Sequence, residues 1–150
     1  MAALRTVYRY WAWLVFAAIV LQVGFAGYGA FFVAKETDKG TVDEDKFMDG
    51  FGLHAGFGYI VVLLGLILLL LALAGRVRGR RLGLTGLLFG LLIVQVLLAW
   101  FGFEVPAIGF FHPVNALVLA GLSSWLALTE WRGVGTIHDR PVATGGAVAP

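Results

Sequence analysis

The sequence predicts an all-α integral membrane protein, an antiparallel bundle of four transmembrane helices built from two repeated helical hairpins. Three observations lead to this prediction. Hydrophobic residues make up 60% of the 150-residue chain and charged residues only 13%, a balance too apolar for the surface of a soluble domain. Uncharged stretches of membrane-spanning length occur four times along the chain. The basic residues between these stretches are unevenly distributed.

Each of the four apolar stretches can cross a hydrocarbon core of about 30 Å. The first is longer than this core requires, so we expect its helix to tilt or protrude. It is also longer than the apolar part of a cleavable signal peptide, which favours a retained helix. A flexible, cytoplasmic tail is predicted for residues 133–150, which are rich in glycine and other small residues. The predicted spans, within a transmembrane domain of residues 1–132, are about 8–34, 51–74, 82–102 and 112–130.

The distribution of charge predicts the orientation of the chain. The N-terminus, the loop 75–81 and the tail together carry eight arginines and two carboxylates, a net charge of +6. The other two connections carry three lysines and seven carboxylates, a net charge of −4. Arginine-rich segments stay cytoplasmic, so both termini are predicted to be cytoplasmic in a bacterial inner membrane. We interpret the loop arginines as a topology signal and an anchor to anionic lipid, not as a nucleic-acid patch.

An internal repeat supports two equivalent hairpins. Residues 22–29 read QVGFAGYG and residues 95–102 read QVLLAWFG, with Gln, Val, Ala and Gly at matching positions. The span after each segment starts with a histidine, His54 in one case and His112 in the other. Each half is therefore predicted to pair a glutamine helix with a histidine helix, in parallel orientation. Both histidines then lie in the outer leaflet at similar depth.

The two histidines are the candidate functional residues, because an imidazole without a partner in hydrocarbon is costly. Residues at i, i+4, i+7 and i+11 share one face of a helix, and small residues dominate the faces beside the histidines. Small residues serve tight helix packing, or here they leave room for a flat cofactor. The predicted cofactor-binding residues are Gln22, Ala26, Gly29, His54, Gly58, Gly65, Gln95, Ala99, His112 and Asn115.

A haem group fits these residues best. The chain has no cysteine, which excludes iron–sulfur clusters, thiolate zinc sites and thioether-linked haem. Four-helix bundles with facing histidines hold haem, so one haem b with His54 and His112 as axial metal ligands is predicted. Three alternatives stay open: histidines bonded only to water or backbone, a metal-free proton or quinol site, and a non-haem metal completed by Glu104, Asp45 or Asp49. The two glutamines either join helices or contact the cofactor.

The segments LHAGFGYIVVLLGL and FHPVNALVLAGLSSWLAL, each following a glutamine-containing helix, resemble a family of small four-helix bacterial membrane proteins. More distantly, they are similar to one half of haem A synthase and to the cytochrome b561 group. The resemblance to the synthase implies that His54 and His112 ligate a b-type haem. The chain differs from the synthase at Gly50 and Ile108, where the synthase places a glutamate four residues before a histidine. It also lacks the second histidine pair of the b561 group.

The sequence therefore predicts a membrane b-type cytochrome with one haem near the extracytoplasmic face. Its expected role is one-electron exchange with quinol or an extracytoplasmic redox partner, alone or as a subunit of a larger membrane complex. Two filled axial positions favour electron transfer over catalysis at the iron. The competing hypothesis is a non-redox membrane protein: a haem-handling or sensing module, or a scaffold subunit without a cofactor.

Overall fold

The computed structural model describes the backbone of residues 2–138 and the side chains of residues 2–129. Within this part the chain forms helices and short connections, without strands. Four helices are long and apolar enough to cross a membrane, which confirms the prediction of an all-α chain with four candidate membrane-spanning helices. In chain order the helices are α1 (Ala2–Thr37), α2 (Glu44–Ala74), α3 (Arg80–Glu104), the single turn α4 (Pro106–Gly109) and α5 (Phe111–His138).

The connection between α1 and α2 is shorter than predicted. Asp43 caps α2 by accepting a hydrogen bond from the Lys46 backbone N–H at 2.9 Å, and Glu44 and Asp45 complement the positive end of the helix. Most of the segment between the first two predicted spans is therefore helical, since only 38–43 lies outside helices. Hydropathy locates the part of a helix that lies in lipid, whereas a charged first turn continues the same helix into water.

Proline sets the boundary between α3 and α5. Val105, which precedes Pro106, is extended with φ −131° and ψ 97°, because a residue before proline disfavours helical geometry. Pro106 then starts the single turn α4, a first-turn position that tolerates its missing N–H. His112 lies in the first turn of α5, where the following Pro113 is tolerated for the same reason.

The fourth long helix extends past the predicted end near residue 130. It continues to His138, so residues 133–138 are helical, and the flexible cytoplasmic tail stays a prediction. No proline interrupts the helical hydrogen bonds before Pro141. The rest of the predicted tail lies outside the described residues.

The long helices pack in a ring. Helix α1 contacts α2 and α5, and α3 contacts the same two helices. Neither diagonal pair, α1 with α3 or α2 with α5, has close backbone contacts in the described part of the chain. The start of α1 lies beside the end of α2, where Arg5 Nε donates to the Gly75 carbonyl at 3.1 Å. The later part of α1 lies beside the first half of α2, where Gln22 Nε2 donates to the His54 carbonyl at 2.7 Å.

Buried hydrophobic side chains fill only one half of the bundle. Tyr8 is fully buried and reaches across the α1–α3 diagonal to Thr85, with 2.7 Å between the hydroxyl oxygens. The Thr85 hydroxyl donates onward to the Arg81 carbonyl at 2.9 Å, so Tyr8 is the donor to Thr85. Beyond the level of Ile19 and Val61 the core contains no further fully buried hydrophobic residue among those described. The core consists of Tyr8, Ala12, Val15, Ala18, Ile19, Val61, Leu68, Ala72, Leu88, Leu92, Leu119, Leu126 and Ala127.

Candidate cofactor site

The half of the bundle without a hydrophobic core contains a cavity of about 750 Å³. This volume lies within the range of about 300–1,000 Å³ that is usual for small-molecule and cofactor sites. All four long helices contribute to its walls, which are mostly apolar. Both predicted histidines and both repeat glutamines line it: His54, His112, Gln22 and Gln95. The four polar residues singled out by the repeat therefore meet at one site.

The two imidazoles face each other across the α2–α5 diagonal. Their ring centroids are 6.0 Å apart, and the angle between the ring planes is 68°, so the rings do not stack face to face. Two imidazoles that bind one metal ion from opposite sides have centroids roughly 6 Å apart, because metal–nitrogen bonds are about 2.0 Å long. The spacing of His54 and His112 thus matches that of two axial ligands.

The hydrogen bonds of the imidazoles determine which nitrogen carries the proton. His54 Nδ1 lies 3.1 Å from the Gln22 carbonyl oxygen, and His112 Nδ1 lies 3.0 Å from the Gln95 carbonyl oxygen. A carbonyl oxygen only accepts, so each Nδ1 is the donor and each neutral ring keeps a lone pair on Nε2. Metal-binding histidines are commonly oriented this way by a carbonyl on the other ring nitrogen.

Each glutamine also returns a hydrogen bond to its histidine. Gln22 Nε2 donates to the backbone carbonyl of His54 at 2.7 Å, and Gln95 Nε2 donates to that of His112 at 3.0 Å. The same reciprocal pair therefore occurs in both halves of the chain, as the repeat in the sequence predicts. Because both glutamine amides bond to backbone, their role in joining helices is supported by the structure.

Seven of the ten predicted cofactor-binding residues line the cavity, and three do not. Gly29 faces Phe51, whose ring lies within 2.9 Å of where a Cβ would stand, and Gly65 faces the side chain of Leu92. Asn115 is buried and bonds to Gln95 Oε1 at 2.7 Å and to the Leu91 carbonyl at 3.0 Å. These three residues serve packing and hydrogen bonding beside the site. The seven that line the cavity are Gln22, Ala26, His54, Gly58, Gln95, Ala99 and His112.

Aromatic residues that the sequence analysis did not select cover the outer end of the cavity. Phe47 stacks on Phe51 with centroids 4.9 Å apart, and Phe51 meets the His54 ring edge to face at 6.3 Å. Phe47 also contacts Phe103 of α3 at 6.0 Å, which joins the two hairpins above the cavity. Phe51 and Phe47 precede His54 by three and seven residues, a spacing that puts all three on one helical face. The sequence analysis did not select the two phenylalanines because a hydrophobic residue on a membrane helix can equally well face lipid.

The cavity also opens at its sides. Tyr59 on α2 and Trp100 on α3 line it while remaining 55% and 57% exposed. Leu117 of α5 also lines it while 75% exposed. These exposed wall residues belong to helices that are long and apolar enough to cross a membrane.

A non-haem metal site has no support in the described residues. They contain no group of three or more His, Asp or Glu side chains that could hold a metal ion. Two imidazoles alone leave a tetrahedral or octahedral ion short of protein ligands. A planar macrocycle supplies the missing ligands itself, so the pair of histidines suits haem better than a bare ion.

The fold and the site together define a helical membrane protein with a pair of histidines across a cavity in one half of its bundle. Residues 46–102, which cover α2 and most of α3, match a family described as a family of unknown function (DUF6220). The match covers less than half of the chain; it includes His54 and Gln95 but not His112. No curated protein and no solved structure matches the chain. The resemblance to haem A synthase and cytochrome b561 therefore stays a prediction.

Proposed function

We propose that this protein is a membrane b-type cytochrome that holds one haem b between His54 and His112. The observation that carries the proposal is the pair of imidazoles 6.0 Å apart across the cavity, each with Nδ1 bonded to a glutamine carbonyl. Because each Nδ1 donates to a carbonyl, Nε2 is the ring nitrogen left for a metal, and both rings lie on the wall of one cavity. When bound, the haem supplies a one-electron couple.

The residues around the histidines have distinct parts in this proposal. The side-chain amides of Gln22 and Gln95 bond to the backbone carbonyls of the two histidines. The backbone carbonyls of the same glutamines accept from the histidine Nδ1 atoms and so fix which ring nitrogen carries the proton. Ala99 leaves space for the edge of a flat ring, since a larger side chain would fill the cavity that it lines. Gly58 makes room for the Gln22 amide, because a Cβ there would stand 3.0 Å from Gln22 Nε2. Lys46, whose Nζ lies 3.4 Å from the Thr41 carbonyl oxygen, is next in sequence to Phe47 of the cavity wall and is the proposed cation for the propionate groups.

We also propose that the bundle is antiparallel, with both termini in the cytoplasm and the haem in the outer leaflet. The short connections 38–43 and 75–79 join neighbouring helices, and the Arg5–Gly75 and Gln22–His54 hydrogen bonds pair opposite ends of α1 and α2. The arginine-rich segments are the ones expected to stay in the cytoplasm, and this sets which end of the bundle faces the cytoplasm.

Electron transfer with a membrane-dissolved partner is the proposed role. The side openings at Tyr59 and Trp100 give a hydrophobic carrier such as quinol access to the haem edge. The other half of the bundle is packed with side chains, so a single haem does not connect the two faces of the membrane. Electron transfer to the opposite face of the membrane therefore needs a second redox protein. This requirement is consistent with a role as one subunit of a larger complex.

The optical spectrum of the purified protein tests the haem proposal. Protein purified in mild detergent is expected to show a Soret band, a sharp α band after reduction, and one haem per chain by pyridine haemochrome assay. Two histidine ligands give a low-spin spectrum in both oxidation states. A colourless protein, after expression with a haem precursor, would contradict the proposal and favour a scaffold subunit. Rapid loss of haem to apomyoglobin would instead favour a haem-handling protein.

Single-cysteine labelling tests the orientation, and the cysteine-free parent is the blank. Thr41→Cys in the first connection is expected to react with a membrane-impermeant maleimide in intact spheroplasts. Arg78→Cys in the second connection is expected to react only after permeabilisation, because it lies on the cytoplasmic side. The opposite result would reverse the proposed orientation. Labelling of both sites from the same side would contradict the antiparallel bundle.

A further inference from the structure

The two glutamine–histidine pairs differ in one contact. Gln95 Oε1 accepts a hydrogen bond from Asn115 Nδ2 at 2.7 Å, and Asn115 is fixed in turn by the Leu91 carbonyl at 3.0 Å. Gln22 Oε1 is buried but has no hydrogen-bond partner among the described residues. The amide of Gln95 is therefore bonded at both its nitrogen and its oxygen, whereas the amide of Gln22 is bonded only at its nitrogen.

A single residue difference between the repeats accounts for the missing bond. Asn115 stands three residues after His112, and the residue three after His54 is Phe57. Phe57 has no donor and packs edge to face on Phe25 with ring centroids 5.3 Å apart. The backbone acceptor is present in both halves, since Ala18 precedes Gln22 by four residues as Leu91 precedes Gln95. An asparagine at position 57 would thus have the same two acceptors as Asn115.

The missing bond weakens the support of one histidine. A buried carbonyl oxygen without a donor is unfavourable, so movement of the Gln22 amide toward a donor costs less than movement of the Gln95 amide. Such movement also breaks the bond from Gln22 Nε2 to the His54 carbonyl. Gly58, one turn from His54, lines the cavity, and a Cβ at this position would stand 3.0 Å from Gln22 Nε2, so the Gln22 amide lies where a side chain would otherwise be. His112 is therefore the more firmly held imidazole.

We propose that His54 is the exchangeable ligand, so that the haem iron offers a binding position for a neutral diatomic gas on the α2 side. This inference rests on the proposed haem site. With haem bound, His54 would be the residue that leaves the iron, so that one iron–nitrogen bond would be replaced by one bond to the gas, with no change in electron count. Asn115 is a positioning residue that keeps His112 bound while the gas is present. The protein then senses or carries a diatomic gas in addition to exchanging electrons.

Carbon monoxide binding to the reduced, detergent-purified protein tests the inference. The wild type is expected to form a carbon monoxide adduct with a shifted Soret band, at a rate that becomes independent of gas concentration because detachment of His54 limits it. Phe57→Asn is expected to slow this limiting rate about tenfold, the effect of about one hydrogen bond. Phe57→Leu is the matched control, because it loses the aromatic contact without adding a donor, and its rate should not fall. Asn115→Leu should raise the rate by loosening the second histidine.

The outcomes separate the inference from the proposed function. A wild type without haem contradicts the proposed function, whereas a wild type that binds haem but not carbon monoxide contradicts only the exchangeable ligand. Equal rates for Phe57→Asn and Phe57→Leu contradict the role of the missing hydrogen bond. If Phe57→Asn does not accumulate as folded protein, Asn115→Leu is the variant that tests the inference. A limiting rate of carbon monoxide binding equal to that of the wild type would then overturn the positioning role of Asn115.

Discussion

His54→Ala and His112→Ala are each expected to purify as folded protein with less than about a tenth of the wild-type haem. The site has no covalent tether, because the chain lacks cysteine, so haem retention depends on the two metal–nitrogen bonds. The helices should persist, since the hydrophobic core lies in the other half of the bundle. Absorbance at the Soret band divided by protein concentration measures the effect, and circular dichroism measures the helix content.

The third histidine provides the matched control for these variants. His138 is the last residue of α5, far along the chain from the cavity-lining part of that helix. His138→Ala is expected to keep the full spectrum of the wild type. Retention of an unchanged low-spin spectrum by either His54→Ala or His112→Ala would rule out that residue as an axial ligand.

Ala99→Phe is expected to remove haem without unfolding the protein. Ala99 lines the cavity one turn from Gln95, and a phenyl ring there occupies the space that the macrocycle needs. If a cost of about 1–3 kcal/mol, typical of overpacking, falls on the bound state, it corresponds to roughly 5- to 150-fold in affinity. The haem content after detergent washing and the thermal unfolding midpoint of the haem-free protein are the two measurements.

A lipid-facing substitution of the same kind controls for general effects of the larger side chain. Ala17 is exposed on α1, so Ala17→Phe should keep its haem. Full haem occupancy in Ala99→Phe would place the cofactor elsewhere than this cavity. A lowered unfolding midpoint in Ala99→Phe but not in Ala17→Phe would indicate that the position packs against other side chains.

The membrane class and the candidate histidines could be predicted from the sequence because both depend on local patterns. Apolar length identified the four helices, and the repeat around Gln22 and Gln95 indicated that His54 and His112 have equivalent surroundings. The structure shows equivalent glutamine–histidine hydrogen bonds in the two halves. Gly58 and Ala99, which helical periodicity selected as cofactor-binding residues, line the cavity.

The role of individual small and polar residues could not be predicted in the same way. Gly29 shares a helical face with Gln22, yet the Phe51 ring from the next helix occupies the space in front of it. Asn115 was selected as a cofactor contact, whereas it bonds to Gln95 and Leu91. A helical wheel gives the direction of a side chain but not what the neighbouring helix places there.

The sequence by itself determined the class of protein, the number of membrane-spanning helices and the pair of histidines, because hydrophobic length and residue type act within single helices. Only the tertiary structure decided that the imidazoles face each other at 6.0 Å, that a cavity separates α2 from α5, and that one glutamine amide lacks a partner. These features depend on side chains from different helices meeting in three dimensions, and no pattern along one helix specifies such a meeting.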